Sequence, residues 1–204
     1  MILTANHFNL ERTLNCGQAF RWKPQKDGCW FGVALDRPLL IRQFGDTLDL
    51  SASVENRDFW RGYFALDRDY GEVEALLASD SQTAPAVACS GGMRILRQHP
   101  YEALISFVIS QNNNVKRITG IIEGLCAAYG EKGRHMGMDY YAFPKSEALA
   151  RATVKELELL GTGYRAPYII HCAQRIRDGY DLDGLRALSF EQAKKTLMGL
   201  KGVG

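Results

Sequence analysis

Four short segments hold the residues of this chain that could do chemistry. Gly17-Gln18-Ala19-Phe20-Arg21-Trp22 comes first, then Ser110-Gln111-Asn112-Asn113-Asn114. Gly163-Tyr164-Arg165-Ala166 and Leu200-Lys201-Gly202-Val203-Gly204 follow. A short amide side chain can replace lost hydrogen-bond partners. Arginine offers a planar fork of donors and stays charged. A tyrosine ring stacks at low entropic cost. Glycines take up positive φ and let a backbone come close to a phosphate. This is the chemistry of gripping and reading a partner. Taken singly, each segment has a plainer reading as a strand-entry glycine, a turn between helices, a helix-ending turn or a solvated arginine.

The remaining titratable residues form no competing site. His7, His99, His135 and His171 make no ligand-spaced or triad-like set, and surface or capping roles suit them better. Lys132, Arg134, Lys194 and Lys195 read as a solvated face with weak phosphate contacts at most. The five cysteines are scattered, without metal-ligand spacing, and read as reduced, mostly buried thiols of a cytoplasmic protein. No metal is expected. With 46% hydrophobic and 24% charged residues, the 204-residue chain is globular and not disordered. The net charge of +2 says little, but its distribution says more. Residues 1–80 carry 9 Lys+Arg against 12 Asp+Glu, and residues 81–204 carry 16 against 11. The second half therefore suits a polyanion. No signal peptide or membrane-length apolar run is visible, so a membrane partner is not expected.

The elements that must position these segments are of two kinds. Residues 18–23, 30–35 and 38–44 are short apolar or aromatic runs separated by turn signals, which predicts an antiparallel meander. From Val54 the period becomes helical, through Phe59, Trp60, Tyr63 and Phe64 and then Val73, Leu76 and Leu77. Residues 81–92 are small and polar and read as a linker. Everything beyond reads helical. Pro100 opens a buried helix through Ile109, and Val115 to Tyr129 keeps one apolar face that Gly130 ends as a left-handed cap. Thr153 with Glu156, and Ser189 with Gln192, have capping-box spacing. Pro167 sits in a first turn. The fold class is α+β. Residues 1–84 form a small antiparallel sheet domain with flanking helices, and residues 85–204 form an all-α domain.

In this order, the segments resemble the 8-oxoguanine DNA N-glycosylase/lyases of the helix-hairpin-helix superfamily. Residues 17–22 look like their Gly-Gln-Ser-Phe-Arg-Trp segment. Residues 110–120 (SQNNNVKRITG) look like their triple-asparagine loop, and residues 161–168 (GTGYRAPY) and 200–204 are similar to later family segments. The resemblance covers essentially the whole chain and implies base-excision repair of 8-oxoguanine opposite cytosine, with associated AP lyase activity. It implies that Asn112 fills the hole left by a flipped base, while Asn113 and Asn114 hold the loop. Arg117 and Arg165 would read the orphaned cytosine, Tyr164 would wedge the neighbouring pair, and Gly202, Val203 and Gly204 would grip the backbone. The Gly17 carbonyl would accept the N7–H that distinguishes 8-oxoguanine from guanine. Phe20, Arg21 and Trp22 are assigned to core and sheet.

Family members follow the Gly-Val-Gly with one variable residue, a nucleophilic lysine and, further on, an aspartate. Both are expected beyond Gly204, so no catalytic residue is assigned within the chain. Lys201 precedes the hairpin and does not fill that role. Duplex DNA is the expected partner of a monomer, in the cytoplasm, at a nucleoid or in a nucleus. No cofactor is expected beyond a monovalent cation at a completed hairpin. A non-catalytic module that binds damaged DNA is the alternative. An alkylpurine DNA glycosylase is another, against which Gly17 and the two arginines argue.

Overall fold

The computed structural model describes residues 1–204, which divide into two compact units. The first comprises residues 1–32 and 38–98, the second residues 99–204 with the hairpin tip 33–37.

A five-stranded sheet of order β1-β5-β4-β3-β2 organises the first unit. Its strands are β1 (Ile2–Thr4), β2 (Trp22–Pro24), β3 (Trp30–Ala34), β4 (Arg37–Phe44) and β5 (Thr47–Leu50). Antiparallel register pairs Leu3 with Leu48, Ile41 with Leu50 and Trp22 with Gly32. Alternation places Leu39 and Ile41 of β4 and Leu48 and Leu50 of β5 inside, each 0–1% exposed. The strand expected at residues 18–23 begins only at Trp22, because Gln18 is engaged elsewhere. Helices α1 (Leu10–Asn15), α2 (Arg57–Tyr63), α3 (Tyr70–Ala78) and α4 (Ala84–Ser90) complete the unit. Trp60 and Phe64 are fully buried, and the indole N–H of Trp22 donates to the Tyr63 hydroxyl at 2.9 Å. Burying side chains of this size stabilises by roughly 1.5–3 kcal/mol each. Phe20 and Arg21 are half-buried beside Trp22.

Three expectations change here. Residues 81–92 are not a plain linker: they contain α4, and Gly92 bonds to Asn9 and to the Glu74 carboxylate. The two units divide at 98/99, later in the chain than the expected 84/85. Leu76 and Leu77 are exposed, so α3 does not bury the face that its spacing suggests.

The second unit is helical around α5 (Pro100–Ser110) and α6 (Val115–Tyr129), followed by α7 (Ser146–Arg151), α8 (Val154–Leu159), α9 (Ala166–Arg177) and α10 (Phe190–Leu197). Ile105, Val108 and Ile109 of α5 pack in a core with Ile122, Leu125, Leu149, Leu157 and Ile169. Both capping boxes form. His99 caps α5, its Nδ1 accepting from Tyr101 N–H. The hairpin tip is held within this unit, since Leu35 N–H donates to the buried Glu102 carboxylate at 2.6 Å.

The helical reading beyond residue 92 misses a hairpin, β6 (Lys132–His135) and β7 (Met138–Tyr141), turned by Met136 and Gly137 at positive φ. There Lys132 and Arg134 both pair with Asp139. Gly130 ends α6 at φ −89, not left-handed. Its lack of a side chain serves a close approach instead, because a Cβ would collide with the Ala142 carbonyl. All five cysteines are free, but only Cys126 and Cys172 are buried, so "mostly buried" is too strong. No helix is long and apolar enough to cross a membrane.

Candidate nucleic-acid interface

In the first unit the candidate is a single backbone turn. Asn9 caps α1 by accepting from Arg12 N–H at 2.9 Å, and the chain leaves the helix through Cys16 into Gly17 at φ +82. That conformation favours glycine, and a Cβ there would meet nothing within 4 Å. Gln18 fixes the turn. Its amide Nε2 donates to the carbonyls of Thr13 (2.9 Å) and Arg94 (2.7 Å). Its Oε1 accepts from Leu96 N–H at 2.8 Å, and its own carbonyl accepts from the Gln98 side chain at 2.6 Å. Arg94 is itself buried, its guanidinium 4.5 Å from the Tyr70 ring centre and bonded to the Ala65, Arg68 and Asn6 carbonyls. Sequence reasoning passed over Gln18. Its neighbour Gly17 was the visible signal, because a left-handed residue needs something to hold it.

In the second unit, three predicted segments converge. The loop between α5 and α6 has Asn112 at φ +46, so the left-handed residue is the first asparagine of the three. Asn113 donates to the Ile109 carbonyl at 3.0 Å and accepts from Asn114 N–H. Asn114 caps α6, accepting from Arg117 N–H at 3.0 Å. Asn112 is left exposed, and so is Arg117, whose guanidinium reaches the Gly161 carbonyl at 3.2 Å.

The turn before α9 contributes Tyr164 and Arg165. Tyr164 is 54% exposed, whereas Arg165 is only 3% exposed, a difference that separates a ring free to stack from a guanidinium already engaged. Arg165 Nε donates to the Gln111 carbonyl at 3.0 Å, and Nη2 donates to that carbonyl and to Asn112 O (3.1 Å). Nη1 donates to Thr162 O at 3.3 Å, and the guanidinium lies 4.4 Å from the Tyr164 ring centre. The solvated arginine of the plainer reading is therefore not what forms.

The third segment is the turn after α10. Gly202 has φ +83, and a Cβ there would lie 2.8–2.9 Å from Tyr168. The Val203 N–H closes the turn on Leu200 O at 3.1 Å. The Gln111 side-chain amide donates to the Gly202 carbonyl. A shallow hollow of about 420 Å³ lies among Phe107, Gln111, Tyr164, Tyr168 and residues 202–204. Gln111, unassigned in the sequence, is thus the residue on which these segments meet. Behind the turn, Cys172 is buried, its thiol pushed up to about 11 by that burial. His171 is held below its ordinary range, first by burial and then by Lys201 and Arg175. No group of three His, Cys, Asp or Glu side chains could hold a metal ion.

Comparison with known proteins places the chain as a whole. Residues 1–104 match the 8-oxoguanine DNA glycosylase N-terminal domain, and residues 105–200 match the HhH-GPD superfamily of base excision DNA repair proteins. An N-glycosylase/DNA lyase of Saccharomyces cerevisiae is 37% identical over 155 residues, covering 70% of this chain and 41% of that protein. The solved structure of MBOgg1 with a low affinity DNA ligand superposes with TM-score 0.95 at 37% identity, covering 100% of this chain and 72% of that one. Clostridium acetobutylicum 8-oxoguanine glycosylase/lyase, bound to DNA with cytosine opposite 8-oxoG, gives TM-score 0.93 at 32% identity, covering 100% and 74%. The chain spans about half the length of the curated relatives it matches. The two family models together run from residue 1 to residue 200, and the chain belongs to the 8-oxoguanine DNA glycosylase family.

Proposed function

We propose that this chain recognises 8-oxoguanine opposite cytosine in duplex DNA, as part of a base-excision N-glycosylase with AP lyase activity. The observation that carries the reading is the convergence of Asn112, Tyr164, Arg165 and the Gly202 turn on Gln111, with Arg117 at the start of the adjoining helix. A base cannot be excised while stacked, and flipping it costs a few kcal/mol. Asn112 is exposed on a left-handed residue, so its amide can enter the vacated stack and offer hydrogen bonds there. The exposed Tyr164 ring stacks on the neighbouring pair. Arg117 is free at its guanidinium apart from one long bond, and it satisfies the acceptors of the widowed cytosine. Arg165 joins it by exchanging the carbonyls of residues 111–112 for the base. The 202–204 turn holds a phosphate on its glycine N–H groups.

Gly17 supplies discrimination in its own unit. 8-Oxoguanine carries a hydrogen on N7, which a backbone carbonyl accepts. Guanine would oppose a lone pair to it, leaving a buried acceptor unsatisfied. The Gln18 bonds prevent that carbonyl from turning away. Base expulsion and strand cleavage are assigned to the lysine and aspartate that the family resemblance implies, and no residue of this chain is given that role.

The test is the affinity of the chain for matched duplexes measured by fluorescence anisotropy. Tighter binding to 8-oxoguanine:cytosine than to guanine:cytosine or 8-oxoguanine:adenine is expected, and Arg117→Ala should erase the preference for cytosine. Equal binding to all three would overturn the reading.

A further inference from the structure

We propose that Gln111 is the positioning residue of the DNA-binding surface, setting the phosphate-gripping turn and the opposite-base reader together; this rests on the DNA reading above. Its two ends face different segments. The side-chain amide donates to the Gly202 carbonyl, and the Val203 N–H of the same peptide is closed on Leu200 at 3.1 Å. That peptide plane is therefore pinned at both ends, which fixes the direction of the flanking glycine N–H groups. The backbone carbonyl of Gln111 accepts from Arg165 Nε and Nη2, with the Tyr164 hydroxyl at 3.4 Å. An amide side chain of this length combines reach with an uncharged donor, whereas leucine lacks the donor and glutamate at neutral pH is an acceptor only. Neither end of Gln111 touches a base in this arrangement. Its effect passes through Gly202 on one side and through Arg165 and Tyr164 on the other.

The probe is a duplex carrying a tetrahydrofuran abasic analogue opposite cytosine, with an undamaged duplex as reference. Gln111→Leu is expected to weaken abasic-duplex binding roughly tenfold, as loss of one hydrogen bond at a partly buried site implies. It should also speed amide hydrogen exchange at Val203 while the α5 amides keep their protection. Gln111→Glu is expected to bind as weakly at pH 8 and to recover in part by pH 5, as the fraction of carboxyl groups that carry a proton and can again donate begins to rise. That recovery must exceed any seen on undamaged duplex, which separates restored donation from lost charge repulsion. Leucine binding within twofold of wild type, or a glutamate-to-wild-type ratio that does not change with pH, overturns the proposal. Should the leucine variant fail to fold, the glutamate pH series decides alone. If wild-type protein shows no preference for the abasic duplex, the DNA reading fails instead, and Val203 exchange in the variants still decides whether Gln111 sets the turn.

Discussion

Each unit uses a glutamine to hold a left-handed glycine, and the two glutamines differ in what they bind. Gln18 has backbone groups for three of its four partners, the Thr13 and Arg94 carbonyls and the Leu96 N–H. Such groups cannot swing away without unfolding the segment around them. Gln111 binds one backbone carbonyl and otherwise receives the side chains of Tyr164 and Arg165. A side chain can exchange partners by rotation about its own bonds, without a backbone segment rearranging. The first arrangement suits a fixed acceptor that rejects a wrong base. The second suits a surface whose arginine must release protein carbonyls before it can take a base.

The largest test of that contrast is Arg165→Ala against Arg117→Ala. Removing Arg165 strips charge-assisted donors from the Gln111, Asn112 and Thr162 carbonyls at a buried site. A loss of about 2–4 kcal/mol in urea unfolding is expected, together with lost DNA binding. Arg117 is exposed and makes one 3.2 Å bond, so its alanine variant should lie within about 0.5 kcal/mol of wild type while losing cytosine preference. Equal stabilities for the two variants would mean that Arg165 is not locked as described.

A smaller effect separates the two glycines. Gly202→Ala must bear both positive φ and a Cβ 2.8–2.9 Å from Tyr168, for a cost of about 2–4 kcal/mol. Gly17→Ala bears the positive φ alone, at about 1 kcal/mol. The Gly17 variant should therefore fold and bind DNA yet discriminate 8-oxoguanine from guanine less well, and the Gly202 variant should lose grip on every duplex. Urea melts paired with anisotropy on damaged and undamaged duplexes distinguish these outcomes; a Gly17 variant weakened on all DNA would break the comparison.

What the sequence made legible follows from the range of the forces involved. Capping boxes at Thr153 and Ser189 and the meander strands are local, set by residues three or four apart or by alternation. The hairpin of β6 and β7 was missed because its strands are largely polar and do not alternate clearly around Met136-Gly137. Gly130 was assigned a left-handed cap when its cause is the Ala142 carbonyl, twelve residues along and invisible to local pattern. The site divides in the same way. The family resemblance pointed to Asn112, Arg117, Tyr164 and Gly202, but Gln18 and Gln111 act through partners up to 80 and 91 residues distant. No spacing rule could pair them.

The smallest effect concerns acid. The Gln18 bonds involve no group that titrates near neutrality, whereas His171 of α9 feels the charge of Lys201, beside the hairpin glycine. Burial and the positive charges of Lys201 and Arg175 hold His171 below its ordinary value, and its Nε2 has no partner. The unfolded chain therefore takes up this proton first as pH falls. Stability from keeping His171 neutral is present above about pH 6.5 and is lost as pH drops through the lowered folded value. The ring is partly exposed, so the loss should stay under about 1 kcal/mol. Between pH 7 and pH 5, wild type should lose slightly more thermal stability than His171→Gln, which cannot titrate. Amide exchange at the 202–203 turn should rise over the same interval while residues 13–18 remain protected. A matching rise in both segments would mean that acid loosens the protein generally, and the assigned difference between a backbone-locked unit and a charge-tuned one would not hold.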